Sequence, residues 1–211
     1  MLSTLGLRLE DPEESSFTQS AKLDALNIAQ KSVVNLVHNA YLGELETISN
    51  NKTAGAGARW STCEYSVAFG SELPIRNGIT AIFDETNDKW CTMIEPGDVK
   101  RLENTYLAGS DANPIAFAFN ETIYVQPPSC VVIDVWYLKA PADIAASGDE
   151  CELNVAMHEA VVDLAESQLW KMDAKVDRAG AAFGSAKAQI DALNARYPSE
   201  APSGIGTKGR G

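Results

Sequence analysis

The spacing of apolar residues changes character twice along the chain. Between residues 18 and 42, Leu26, Ala29, Val33, Leu36, Val37 and Ala40 recur every three or four positions. That period predicts an amphipathic helix, with Thr18 or Ser20 placed to cap its start and Gly43 at or just beyond its end. From about 60 to 140 the runs become short and rich in β-branched and aromatic residues: Tyr65 to Phe69, Gly78 to Phe83, Lys89 to Ile94, Ile115 to Phe119, Thr122 to Gln126 and Val131 to Leu138. Turn residues such as Arg76-Asn77-Gly78, Asp84 to Asp88, Pro96-Gly97-Asp98 and Pro127-Pro128-Ser129 separate them, which predicts a small, mostly antiparallel sheet. Asn120-Glu121 joins two of these runs as a two-residue hairpin turn, and Pro96 to Asn104 carries a short predicted helix.

After Pro141 the helical period returns. Leu153, Ala156, Met157, Ala160, Val161, Leu164 and Ala165 form one stripe, with Asp149 as its expected N-cap. A second stripe follows Asp173, through Val176, Ala179, Phe183, Ala186, Ile190, Leu193 and Tyr197. Small residues from Ala179 to Ala182 favour close helix approach, while Gly180 and Gly184, each costing about 1 kcal/mol relative to Ala, mark a place for a kink. Pro198 and Pro202 end the helix. The expected class is therefore α+β: one N-terminal and two C-terminal helices as a helical bundle, a small mostly antiparallel β-domain, and an extended C-terminal tail. Residues 1–17, acidic around Asp11-Pro12-Glu13-Glu14, read as an arm, and 18–197 as a single domain made of helix 18–42, β-rich region 60–140 and two helices in 149–197. Within it, 50–58 has flexible loop chemistry, and 198–211 is a Pro-, Ser- and Gly-rich flexible tail.

Composition sharpens the class. With 45% apolar residues over 211 positions, the chain is no disordered polymer. Its formal net charge of -12 is unevenly spread: residues 1–170 hold 10 basic and 25 acidic side chains, a net of -15, whereas 171–211 hold 7 and 4, a net of +3. Such an acidic body repels phosphate and disfavours nucleic-acid binding. Cys63, Cys91, Cys130 and Cys151 stand 28, 39 and 21 residues apart, without a CxxC pair, and read as small apolar side chains in a reducing compartment. Neither a signal peptide nor a membrane-length apolar run is apparent, so a soluble cytoplasmic product is expected.

Candidate chemistry is sparse. His158-Glu159 lies on a predicted helix, but a zincin needs a second His at position 162, which is Val162, and Asp163 falls roughly 140° away around the helix. His38 reads as a polar edge residue. No GxSxG elbow occurs, and Gly55-Ala56-Gly57-Ala58-Arg59 lacks the GK[ST] ending of a phosphate loop. The pairs Asp11/Glu13/Glu14, Glu44/Glu46 and Asp149/Glu150 read as solvated surface without EF-hand spacing. Trp60, Trp90, Trp136 and Trp170 are scattered, as expected of core and interface anchors. No enzyme, metal or cofactor is expected; the alternative enzyme reading is a small metal-dependent hydrolase using His158 with Glu159.

Two stretches carry a family texture: Pro114-Ile115-Ala116-Phe117-Ala118-Phe119-Asn120-Glu121-Thr122-Ile123-Tyr124-Val125-Gln126-Pro127-Pro128, and Val131 to Ile144 with its Trp136-Tyr137-Leu138-Lys139-Ala140-Pro141 exit. Together with the helix Asn154 to Ala165, the long helix Lys171 to Tyr197 and the N-terminal Leu26 to Tyr41 helix, the layout resembles tailed-phage head-to-tail connector (adaptor) proteins. The resemblance spans about 18–197, with no counterpart placed for 44–75. It implies a virion structural protein of the neck, made in the host cytoplasm, which forms a ring under the portal protein. The ring is typically dodecameric, its lumen passes genome DNA without specific binding, and a downstream neck or tail protein lies below. It further implies portal docking by the C-terminal segment, carried here by Ile205, Lys208 and Arg210, with Arg196 and Tyr197 at its root. Another neck or tail-completion protein is the alternative of the same class. No membrane partner is implied.

Overall fold

In the computed structural model, which describes residues 1–11, 13–103 and 107–197, the chain is α+β, with five helices and two mostly antiparallel sheets among those residues. It divides into two compact units, one formed by residues 1–45 with the described residues from Pro141 onward, the other by Glu46–Ala140. The β-rich stretch between the helices closes a core of its own.

The helical unit begins where an arm was expected. Residues Leu2–Arg8 form α1, burying Leu2 and Leu5. Arg8 secures it: its guanidinium pairs with Glu159 and Asp163 and lies 3.9 Å from Glu166, three carboxylates on one face of the helix His158–Met172 (α4). Asp163 is nearly sealed from solvent, and its other oxygen accepts from Gln189 Nε2 at 2.8 Å. Arg8→Ala should therefore cost about 2 kcal/mol, the penalty of leaving a buried carboxylate short of donors. Faster amide exchange across Leu2–Arg8 checks this, and unchanged exchange would refute it.

Residues Gln19–Leu36 form α2, with the Thr18 hydroxyl accepting from the Ala21 amide at 3.3 Å, as the sequence predicts for Thr18. The helix ends at Leu36, short of Gly43, since Val37 turns extended and its amide closes on the Val33 carbonyl. Leu26, Ala29 and Val33 are fully buried, facing α4, whose Ala160, Val161 and Ala165 are buried in turn. Asn27 and Gln30 stitch a strap onto α2: Asn27 exchanges hydrogen bonds with the Ile144 backbone, and Gln30 Nε2 donates to the Ala142 carbonyl at 2.8 Å.

Asp149 does not cap α4. Its carboxylate accepts from the Ala145 and Ala146 amides, closing a turn, and α4 starts nine residues later after a 3-10 turn at Val155–Met157 capped by Asn154. Residues Val176–Asn194 form α5, which packs along α4 and is unbroken at Gly180 and Gly184. It begins three residues after Asp173, itself the C-cap of α4.

The second unit contains β1 (Glu46–Thr53), β2 (Ser61–Glu64), α3 (Tyr65–Phe69), β3 (Ile79–Asp84), β4 (Lys89–Trp90), β5 (Thr92–Met93), β6 (Ile115–Phe119), β7 (Thr122–Gln126) and β8 (Val132–Leu138). The sheets run β1-β8-β3-β4 and β2-β7-β6-β5; among the described residues only β5 and β6 pair in parallel. One expected sheet is therefore two. They join at two seams: the expected strand 89–94 breaks at Cys91 and serves both sheets, and Gly55 beyond β1 bridges to Thr62 of β2. Ile82, Ile123, Val125, Ile133 and Val135 fill the shared core.

Two further expectations are corrected here. Tyr65 to Phe69 is helical rather than extended: Ala68 and Phe69 are buried together, and the Tyr65 and Phe69 rings meet edge to face at 5.1 Å across one turn. Part of the 50–58 loop belongs to β1, where the Asn51 amide donates to Asp134 Oδ1 at 2.5 Å within an irregular pairing with β8. The β6–β7 hairpin is as predicted, with Asn120 and Glu121 both in the left-handed region (φ 46° and 57°) that a two-residue primed turn requires. The expected short helix at Pro96 is a 3-10 segment, Pro96–Glu103.

Candidate functional site

The end of α5 is fastened to the end of α2 by one side chain. Asn194 Oδ1 accepts from the His38 amide at 2.8 Å, and its Nδ2 donates to the Leu36 carbonyl at 2.8 Å. The Leu36 carbonyl is one that the C-terminal end of α2 leaves without a helical partner, and the His38 amide stands just before the 3-10 turn Asn39–Tyr41. Tyr41 adds a hydroxyl donated to the Leu193 carbonyl at 3.2 Å. Tyr197 then lies parallel to the His38 ring at 5.1 Å and edge-on to Tyr41 at 5.2 Å. The last described residue is consequently held by an aromatic cluster.

Of the five residues assigned to portal docking, Arg196 and Tyr197 come together at this clamp. Arg196 is exposed, with its amide closing on the Leu193 carbonyl at 3.1 Å, and Tyr197 is 42% exposed. Ile205, Lys208 and Arg210 lie outside the described residues. No sequence signal groups His38, Tyr41 and Asn194: His38 reads as a polar edge residue, and the one local hint is an Asn near the end of a long apolar stripe.

Three of the seven basic side chains of residues 171–211, Lys171, Lys175 and Arg178, lie at or near the α4–α5 junction. Lys175 and Arg178 stand 4.6 and 4.9 Å from the Trp170 ring, and Lys171 stands 5.5 Å from Phe183. Acidic neighbours offset part of their charge: Lys175 pairs with Asp173 at 2.7 Å, and Arg178 lies 3.9 Å from Glu10.

The β unit carries aromatic side chains on both outer faces. On the first sheet, Trp136 lies across from Ile48, and Trp90 across from Phe83. The two indoles meet at 4.7 Å, and Trp90 is 58% exposed. On the second sheet, Phe117 and Tyr124 stack in parallel at 4.7 Å, and Trp60 meets Phe117 edge-on at 5.1 Å. With Phe119, Pro96 and Val99 they line a groove of ≈ 540 Å³. The tryptophans, scattered in sequence, thus have three situations: Trp170 in a core, Trp90 and Trp136 paired on a surface, and Trp60 beside a groove.

Reactive groups are placed for structure. His158 Nε2 lies 2.8 Å from the Leu153 carbonyl, which can only accept, so this nitrogen carries the proton. The four cysteines are buried and unpaired; burial pushes the Cys91 thiol up to about 12 and raises those of Cys63, Cys130 and Cys151. At the β3–β4 turn, the Asp84 carboxylate accepts from the Thr86 and Asn87 amides, and the Glu85 carboxyl is raised by its hydrogen bond to Asp134, then by burial and by the Asp134 and Asp88 charges. Among the described residues no three His, Cys, Asp or Glu side chains are grouped to hold a metal ion, and no helix is long and apolar enough to cross a membrane.

No protein-family model matches the chain, and no curated protein resembles it significantly.

Proposed function

We propose that the chain is a virion structural protein, a head-to-tail adaptor that assembles as a ring beneath the portal and links the capsid to the tail. Helices α2, α4 and α5 form the bundle of each subunit, and residues 198–211 leave it as a tail that docks on the portal through Ile205, Lys208 and Arg210, with Arg196 and Tyr197 at its root. The observation that carries this proposal is the fixed point from which that segment departs: Asn194, His38, Tyr41 and Tyr197 hold the end of α5 in place. A segment launched from a rigid root loses less freedom on docking than one launched from a frayed helix.

The other expected attributes fit one assembly. The exposed Trp90 and Ile48, with the half-buried Trp136 beside them, make an aromatic face suited to a neighbouring copy or a downstream neck or tail protein. Like charge on the acidic body lets genome DNA slide through the lumen without being gripped. The ring is dodecameric, as in the resembled family; the subunit needs no cofactor, performs no catalysis and works in the virion neck after synthesis in the host cytoplasm.

Electron microscopy of the purified chain mixed with portal rings tests the proposal. A ring of added density on one end of the portal is expected. Portal particles that stay bare at saturating chain would sink it, whereas a monomer on a sizing column would not, since ring closure on a template is part of the proposal.

A further inference from the structure

We propose that a hollow among α2, α4 and α5 is a docking site for the chain's own residues 198–211, with Ile205 as the side chain that fills it. The hollow and the root of that segment, Tyr197, belong to the same helical unit. Leu164 of α4 and Ile190 of α5 make its buried floor, while Leu36 at the end of α2 and Phe183 of α5 make walls that are 52% and 47% exposed. Lys187 and Asp191 complete the lining and pair with each other at 2.5 Å. Size selects what can enter. The volume is ≈ 140 Å³, close to the cavity of about 150 Å³ that holds one benzene and well below the roughly 300 Å³ at which small-molecule clefts begin. One apolar side chain fits; a larger ligand or a whole helix does not.

The chain carries one such side chain within reach. Phe183, Lys187, Ile190, Asn194 and Tyr197 recur every three or four positions, so the ridge that walls the hollow runs on to the clamp. Asn194 also ties that ridge to the opposite wall, because its Nδ2 donates to the Leu36 carbonyl at 2.8 Å. The segment thus begins beside the hollow. Ile190 precedes Tyr197 by seven residues, about 10 Å along a helix. Ile205 follows it by eight, up to about 26 Å of extended chain, which is enough to turn back and enter. Pro198, Pro202, Ser203 and Gly204 are residues suited to that reversal. Within 198–211 the single large apolar side chain is Ile205, and Gly204 and Gly206 beside it permit close backbone approach. Charge does not choose the occupant: Lys187 and Asp191 offset each other, and Lys171, 5.5 Å from the Phe183 ring, opposes Lys208 and Arg210. The contact is apolar, and tethering makes a weak one sufficient, since a short attached segment is present at an effective concentration on the order of millimolar. A second copy's tail lacks that advantage in dilute solution.

This docking needs no portal and is tested without one. In the full-length chain with ¹³C-labelled isoleucine methyl groups, the Ile205 resonance, assigned by its loss in Ile205→Ser, is expected upfield of its random-coil position through the ring current of Phe183. Phe183→Leu keeps an apolar wall but removes the ring, and should return Ile205 towards random coil. Ile205→Ser should in turn move the resonance of Ile190 in the floor, while Ile28, exposed elsewhere on α2, and the buried Ile82 stay in place and show that the fold persists. The upfield position should be independent of protein concentration and unchanged at high salt. A random-coil Ile205 in the wild type, or an Ile190 resonance indifferent to Ile205→Ser, overturns the proposal. Loss of the upfield shift at high salt overturns apolar anchoring. Loss on dilution overturns own-chain docking and assigns the hollow to a neighbouring copy's tail. Bare portals in the microscope would leave these results untouched, so the two proposals fail separately.

Discussion

Asp11→Ala is expected to lower the melting midpoint by on the order of 10 °C, and Lys22→Met by clearly less. Both side chains are almost wholly buried, at 3% and 2% exposure, between α1 and the start of α2. Lys22 Nζ reaches Asp11 Oδ2 at 3.2 Å and the Asp11 carbonyl at 2.6 Å. The carboxylate has further work. It accepts from the amides of Ser15, Ser16 and Phe17 and from the Ser15 hydroxyl, all within 3.0 Å. Removing it leaves a buried ammonium with one carbonyl and three amides without their acceptor. Removing the ammonium while keeping a stem of similar length leaves the carboxylate with its amides.

The pH dependence of that pair has a definite sign. Burial by itself would raise the Asp11 pKa, but the hydrogen bonds from Ser16, Phe17, Ser15 and Lys22 outweigh it and hold the carboxyl well below the usual carboxylate range. A depressed pKa means the native state resists protonation, so this stabilisation is fully present above pH about 4 and fades as pH falls below it. Melting curves from pH 7 to pH 3 should therefore drop less in Asp11→Ala than in the wild type. Parallel curves, or equal midpoints for Asp11→Ala and Lys22→Met, would show that the carboxylate is not what organises the turn.

What the sequence discloses about this fold depends on where each burial partner comes from. α2 and α5 are legible because the middle of each stripe, Leu26, Ala29 and Val33 in one and Ala179, Ala186, Ile190 and Leu193 in the other, is buried, although Leu36, Val176 and Phe183 on the same stripes are exposed, and Thr18 caps by a local rule. The β6–β7 hairpin is legible for the same reason: Asn120-Glu121 is a local turn. β1 is hidden, since Glu46–Thr53 is almost wholly polar and becomes a strand only because β8 supplies its ladder. β2 is hidden because its alternating buried positions are Ser61 and Cys63, neither of which announces a core. α3 misleads in the opposite sense. Tyr65, Val67 and Phe69 have strand-like identities, but the buried pair is Ala68 with Phe69, adjacent as in a helix and never adjacent on one strand face.

The same distinction governs the candidate sites. Arg196 and Tyr197 could be found by following the stripe of α5 to its end. The clamp that holds them could not, because His38 and Asn194 lie 156 positions apart. Likewise Trp60, Phe117 and Tyr124 form no visible motif, and strand register is what brings them into one row.

Deleting residues 198–211 is expected to abolish ring formation on purified portal while leaving the thermal melt nearly unchanged. The two halves of this result have separate causes. The described cores of both units, and the clamp from His38 to Tyr197, are built from residues before the cut. Little packing is therefore lost, and a midpoint within a few degrees is expected. Docking, by contrast, loses Ile205 together with Lys208 and Arg210, the anchor and both cations of the segment. Reversing only the charges, with Lys208→Glu and Arg210→Glu, separates their contributions. Charges at the rim of an interface chiefly steer association, so the double variant should assemble more slowly, and raising the salt concentration should narrow its gap from the wild type. The deletion should fail at every salt concentration because its apolar anchor is gone. Rings of normal yield from the truncated chain would move portal recognition from the tail to the folded units, with Trp90 and Trp136 as the next residues to change.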